Sequence, residues 1–207
     1  MSHPKMPLTL EQDDYLTEVI NIGMGKAVSI LNEMTDIKVN LCVPKVQLLP
    51  ISEVISHFKN TQKMVTVKLS FNGEFAGDSL ILFPQKSGEK LVELLTGEVV
   101  EEDDSSGLTA EVLTEVGNIV LNSMVGSLAN IFISNFTYSV PLYEYDTPEN
   151  IITKNQRDEF SSSYALIATT NFNMDDNNIQ GDILMLFNVS SITSFINEID
   201  QQLKDVA

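Results

Sequence analysis

Leu16-Thr17-Glu18-Val19-Ile20-Asn21-Ile22 recurs 97 residues later as Leu113-Thr114-Glu115-Val116-Gly117-Asn118-Ile119, identical at six of seven positions. The offset of 97 holds as far as Val43-Pro44 and Val140-Pro141. Further on, Gly77-Asp78-Ser79-Leu80-Ile81-Leu82-Phe83 returns as Gly181-Asp182-Ile183-Leu184-Met185-Leu186-Phe187, identical at five of seven positions and offset by 104. Seven residues have therefore been gained between Pro141 and Gly181, some of them in the polar stretch Asn173 to Asn178. A repeat of this length decides the architecture before any single element is assigned.

Working outward from the first copy, Thr9 and Gln12 have the spacing of a capping box, worth about 1 kcal/mol at a helix N-terminus. A helix is predicted over 10–34. Leu16, Val19, Ile20, Gly23, Ala27, Ile30, Leu31 and Met34 recur there at three- and four-residue steps on one buried stripe. Residues 37–49, β-branched around Val39, Leu41, Val43 and Val46, read as one strand ended by Pro50. A short helix follows at 51–59. Val65, Val67, Leu69 and Phe71 then alternate with polar residues, Asn72-Gly73 turns the chain, and 75–83 returns as the second arm of a hairpin. Residues 86–95 read as a helix stopped before Gly97. The acidic stretch 98–107 (EVVEEDDSSG) is a solvated connection. The order then repeats: a helix at 108–131, a strand at 135–145, a hairpin of 164–172 with 179–187, and a closing helix at 190–204.

Three strands in one helix-strand-hairpin-helix unit cannot easily close a core. The two units, 10–97 and 107–204, can pair into a six-stranded sheet with long helices packed on it. The expected fold is thus mixed α/β (α+β), one pseudo-two-fold symmetric domain over 1–207. A 43% apolar composition suffices for its core. Against 29 Asp+Glu stand 12 Lys+Arg, a net charge of −17 that repels phosphate backbones and anionic lipid heads, so neither nucleic acid nor a membrane surface is expected as a partner. A single Cys42 makes no internal disulfide, and His3 with His57 cannot close a zinc site, which argues for a reducing compartment and no metal. Residues 1–14 lack the apolar stretch of a targeting segment, and no run reaches the roughly 18 apolar residues of a membrane span. A soluble, cytoplasmic protein is expected.

Residues at i, i+4, i+7 and i+11 share a helix face. Asp14, Glu18, Asn21 and Gly25 therefore line a polar stripe beside the apolar one, as do Glu111, Glu115, Asn118 and Asn122. One Glu-x-x-Asn would be an ordinary solvated face; two copies, each followed 23 residues after the Asn by Pro44 or Pro141, ask for more, although duplication copies a surface along with the core. An Asn amide cannot serve as a general base, but it can orient a water or donate to an oxyanion. A Glu one turn away disfavours an anionic substrate unless a cation pairs with it. Cations are scarce on this chain, so the partner is the better source, and the site is incomplete without a docked protein. Gly25 would leave room for that approach, unless it and Gly23 serve close helix packing.

These spaced residues, Asp14-x3-Glu18-x2-Asn21-x22-Pro44 and Glu111-x3-Glu115-x2-Asn118-x22-Pro141, resemble the double signature of the CheC family of chemotaxis phosphatases, related to CheX and FliY. The likeness extends to Asn21-Ile22-Gly23-Met24-Gly25, Gly117-Asn118-Ile119 and the repeat architecture, over about residues 10–204. Glu111 departs from the usual Asp or Ser at the leading position. The resemblance implies hydrolysis of the aspartyl phosphate of a receiver domain, the module of CheY-like response regulators. It implies that Glu18 and Glu115 pair with a receiver lysine, that Asn21 and Asn118 position the attacking water, and that Mg²⁺ belongs to the receiver, this chain having no cofactor of its own. Phosphoryl transfer needs mainly positioning and charge stabilisation, which an amide can supply.

Other readings are weaker. Gly23-Met24-Gly25-Lys26 looks like part of a phosphate loop, but Ile20 stands at the first required Gly and Ala27 follows the Lys. Asp176 to Gly181 has a faint calcium-loop look, yet Phe187 stands where the bidentate Glu belongs. His57 has no Ser or Cys partner indicated, and Cys42 reads as core. The alternative from another class is a non-catalytic adaptor of the same fold that binds a receiver, CheD or the flagellar switch.

Overall fold

The computed structural model describes residues 8–35, 38–43, 45–58, 62–100, 107–131, 135–154, 164–174, 177–187 and 189–206. Helix α1 spans Leu10–Met34 and opens on the predicted capping box: the Gln12 N–H donates to Thr9 Oγ1 at 3.2 Å and the Thr9 N–H to Gln12 Oε1 at 2.8 Å. Two short strands follow, β1 (Val39–Cys42) and β2 (Val46–Pro50), then α2 (Ile51–His57), the hairpin β3 (Met64–Asn72) and β4 (Ala76–Pro84), and α3 (Gln85–Thr96). Gly97, at φ 73°, ends α3 in the left-handed conformation that glycine adopts without strain. The same order then recurs as α4 (Leu108–Ile131), β5 (Thr137–Tyr138), β6 (Leu142–Asp146), α5 (Pro148–Lys154), β7 (Tyr164–Met174), β8 (Asn177–Phe187) and α6 (Val189–Val206).

All strands join one antiparallel sheet, in the order β1-β7-β8-β4-β3-β5, with β2 also on β7 and β6 also on β3. The six expected positions are present, but each outer one is divided, so among the described residues the sheet has eight strands rather than six. The ladder to β7 stops at Cys42 opposite Asn171 and resumes at Val46 opposite Ala168. The other edge is interrupted likewise: Tyr138 pairs with Phe71 and Leu142 with Lys68, leaving residues 139–141 opposite two residues of β3. Pro141 supplies no ladder N–H where the single strand expected at 135–145 is broken, and the strand expected at 37–49 is broken between Cys42 and Val46. At the central β4–β8 seam, Leu80 pairs with Leu184, its counterpart 104 residues on.

Alternation along the strands sorts the core into two layers. Ile81, Phe83, Ile183 and Phe187 face the long helices, whereas Leu80, Leu82, Leu184 and Leu186 face α2 and α5 through Ile51, Val54, Ile151 and Ile152. Helices α1 and α4 cross so closely that a Cβ on Gly23 would stand 2.7 Å from Met124 Cα. The last turn of α1 lies beside the first half of α4, so the two run antiparallel.

Three expectations are corrected. Helix α4 contains a stretch, Leu108–Asn130, long and apolar enough to cross a membrane by length and composition; its Leu113, Val120, Leu121, Met124 and Val125 are spent in the protein core instead, where α4 is enclosed by α1, α3 and the sheet. Cys42 is exposed, because β1 alternates and directs Val39 and Leu41 inward. Ile30 and Met34 stand 41% and 57% exposed, while Met24 takes a buried place on the α1 stripe.

Candidate functional site

At the first copy of the motif, α1 presents Asp14, Glu18 and Gly25 to solvent, with Asn21 half-buried beside them. The Asn21 side chain is closed on the backbone at the strand break: its Nδ2 donates to the Val43 carbonyl and its Oδ1 accepts from the Val43 N–H, both at 2.9 Å. Val43 is 1% exposed, so this pair of bonds satisfies two groups that water does not reach freely. The geometry gives the spacing Asn-x22-Pro a physical reason: the amide holds the residue immediately before the proline. Pro44 itself lies outside the described residues. Gly23 and Gly25, undecided in the sequence, separate here: Gly23 is the contact to α4, while a Cβ on Gly25 would meet nothing within 4 Å.

The second copy keeps the spacing without the clamp. Glu111 and Glu115 are exposed on α4 and Asn118 is half-buried. Asn118 Oδ1 accepts from Asn122 Nδ2 at 2.6 Å, and its own amide nitrogen has no hydrogen-bond partner among the described residues. Val140, the counterpart of Val43, is 84% exposed, and Pro141 beside it is half-buried. Its neighbourhood is held to β3 instead, by Ser139 N–H to the Ser70 carbonyl at 2.9 Å and Ser70 N–H to Ser139 Oγ at 3.0 Å. No lysine or arginine pairs with Glu18 or Glu115 among the described residues, where the ion pairs are Lys90–Glu93 and Lys154–Asp146. Each Glu thus stands unpaired one turn before an Asn amide. The two amides differ: the first is engaged, the second offers an N–H.

The other repeated residues are structural. Asp78 accepts from Ser70 Oγ at 2.5 Å and Asp182 from Thr169 Oγ1 at 3.0 Å, each across its own hairpin. Burial raises the Asp182 carboxyl above the ordinary carboxylate value, opposed by the Thr169 bond and His57. A Cβ on Gly181 would reach the Phe83 ring at 2.8 Å, so this glycine serves strand packing; Asp176, of the calcium-loop reading, lies outside the described residues. In the Gly-Met-Gly-Lys stretch, Lys26 Nζ donates to Ser127 Oγ at 3.2 Å from within the helix. His57 is exposed with Phe58 edge-on at 5.1 Å. Among the described residues no group of three or more His, Cys, Asp or Glu could hold a metal ion.

The chain thus sets an antiparallel sheet under paired long helices, with a Glu and an Asn on each. A family model described as the CheC-like family matches residues 11–48, which contain the first Glu/Asn pair and the clamp to Val43. The CheY-P phosphatase CheC of Bacillus subtilis is 28% identical over 140 residues, 66% of this chain and 67% of that protein. The flagellar motor switch phosphatase FliY of the same organism is 23% identical over 150 residues, 70% of this chain but only 39% of that protein. Among solved structures, Thermotoga maritima FliY superposes with a TM-score of 0.71 at 18% identity, covering 94% of this chain and 98% of that one. The middle domain of FliM from Helicobacter pylori gives 0.63 at 11% identity, over 92% and 99%. A chain of the CheX-CheY-BeF3-Mg complex from Borrelia burgdorferi gives 0.53 at 20% identity, over 83% and 99%. At such identities the superpositions speak for the fold. The chain is thus similar to CheC-like proteins over residues 11–48 and shares the fold of FliY, FliM and CheX.

Proposed function

We propose that this protein hydrolyses the aspartyl phosphate of a CheY-like receiver in chemotaxis signalling, with Glu115 and Asn118 forming the readier of two sites and Glu18 and Asn21 the other. The carrying observation is the half-buried Asn118 amide, whose N–H has no partner among the described residues, one turn from an exposed Glu115 that has no ion-pair partner among them. On docking, Glu115 takes the receiver lysine, and Asn118 fixes a water in line with the phosphorus. The water oxygen bonds to phosphorus as the aspartyl P–O bond breaks. A proton passes to solvent, and the products are inorganic phosphate and the free aspartate. The receiver supplies Mg²⁺ and the phosphorylated residue; this chain supplies position and electrostatics and needs no cofactor of its own. At the first site Asn21 would have to leave Val43 before it could act. Asp14, Gly25, Glu111 and the two prolines shape the surroundings rather than touch the phosphate. The halves 10–97 and 107–204 are, on this reading, repeats within one domain acting in the cytoplasm, and neither nucleic acid nor membrane is engaged.

The likeness to CheC and FliY, both named as phosphatases, supports the reading. The likeness to FliM favours a second one, an adaptor that binds a receiver, CheD or the flagellar switch without catalysis. A time course of dephosphorylation of acetyl-phosphate-charged CheY separates them. The wild type should accelerate decay, and Asn21→Ala/Asn118→Ala should not. Binding without acceleration by the wild type would establish the adaptor, and a double variant as fast as wild type would remove the Asn assignment.

A further inference from the structure

An open groove of about 360 Å³ lies between the end of α1, the end of α3 and the first half of α4. Its walls are chiefly apolar, with Leu31, Met34, Leu95, Val112, Val116 and Ile119 among them, and Glu111 and Glu115 stand on its rim. Both carboxylates are exposed, lie one helical turn apart and have no ion-pair partner among the described residues. Like charges at i,i+4 repel by a few tenths of a kcal/mol, and a cation seated between them would reverse that sign. Glu115 is also the residue one turn before Asn118, so the groove and the candidate site share a wall.

Resting on the receiver-phosphatase reading above, we propose that this groove is the docking cleft of the second site. It takes an amphipathic segment of the receiver, aliphatic side chains in the groove and a lysine or arginine between Glu111 and Glu115. Charge selects this occupant. Residues 101–106 of this chain read Glu-Glu-Asp-Asp-Ser-Ser and a second copy carries −17, so both bring the same sign as the rim. A small ligand would find few convergent polar groups beyond two carboxylates, whereas an apolar groove with a charged rim suits a helix. The first site lacks this setting: Gln12 Nε2 donates to Asp200 Oδ1 at 2.6 Å, so α6 closes on α1 there, and burial, with Glu198 adding to it, raises the Tyr15 phenol.

Steady-state turnover of acetyl-phosphate-charged CheY by wild type, Met34→Lys, Glu111→Lys and Ser52→Lys tests this. Met34 is 57% exposed, so the lysine is added without disturbing the core; Ser52 is exposed on α2, on the opposite side of the sheet, and controls for charge. Met34→Lys and Glu111→Lys should each raise KM about tenfold with kcat within twofold, as expected when docking alone is weakened, and Ser52→Lys should match wild type. If wild type turns over normally and Met34→Lys keeps its KM, or loses only kcat, the groove is not the docking cleft while the phosphatase reading stands. If wild type fails to accelerate decay, both fall.

Discussion

Asn21 and Asn118 occupy equivalent places in the motif but carry different structural loads, and truncating each to alanine separates them. In Asn21→Ala two bonds of 2.9 Å to Val43 vanish, leaving the N–H and the carbonyl of a buried residue without partners. An unsatisfied buried polar group costs about 1–3 kcal/mol, and partial access to water at the sheet edge keeps each near the lower end of that range. Alanine returns about 0.6 kcal/mol of helix propensity. The net loss is about 1.5–2.5 kcal/mol, or roughly 3–10 °C in Tm for a chain of this size. In Asn118→Ala one bond to Asn122 is lost near the surface, about 0.5–1 kcal/mol, and the same propensity gain nearly cancels it. Urea unfolding followed by circular dichroism gives both values in one experiment. A loss in Asn21→Ala within 0.5 kcal/mol of that in Asn118→Ala would refute the clamp.

The two glycines of α1 should respond with opposite signs. Gly23→Ala places a Cβ 2.7 Å from Met124 Cα, 3.0 Å from the Ser123 carbonyl and 3.2 Å from Met124 N, all backbone, so α1 and α4 must part. Overpacking costs about 1–3 kcal/mol and exceeds the propensity gain, whereas Gly25→Ala, with open space around it, gains about 0.8–1 kcal/mol; thermal melts showing both variants shifted the same way would oppose this account. The Asp182 carboxyl is raised in the fold from an ordinary value of 3.8. Its ionisation therefore opposes folding at neutral pH, and stability recovers as pH falls through the raised value to 3.8. Asp182→Asn should melt higher than wild type at pH 7 and together with it near pH 3.5, and a difference independent of pH would contradict the burial argument. Glu115→Lys should raise KM for the phosphorylated receiver about tenfold through like-charge repulsion, and more than Glu18→Lys does; equal KM for all three proteins in the decay assay would count against the lysine contact.

Much of this fold is legible from local chemistry. The Thr9/Gln12 capping box, the Asn72-Gly73 turn and the Gly97 stop all lie where the sequence predicts them, because each depends on a few adjacent residues. Helix α5 is missed, since Pro148-Glu149-Asn150-Ile151-Ile152-Thr153-Lys154 has two apolar side chains and no period. The offset of 97 would have found it, for it carries Ile51–His57 onto Pro148–Lys154. The outer strands are missed as pairs because the apolar pattern of 37–49 and 135–145 runs on across the breaks between Cys42 and Val46 and between Tyr138 and Leu142. Met34 and Ile30 fit the periodic stripe yet stay exposed, and at Met34 a groove rather than a packed neighbour faces the end of α1. At the site, the Glu/Asn spacing is readable as a shared face. The identity of the first amide's partner is not, because Val43 is brought to Asn21 by the path of β1 and contributes only backbone.

The central claim is that Asn118 positions the water that attacks a receiver's aspartyl phosphate. The most direct measurement is the kcat of Asn118→Ala on acetyl-phosphate-charged CheY, read with KM and thermal stability on the same preparation. The account predicts a fall of about 10²–10³, the usual loss for one preorganised hydrogen-bond group, with KM and Tm close to wild type. A variant that keeps the wild-type kcat would contradict it.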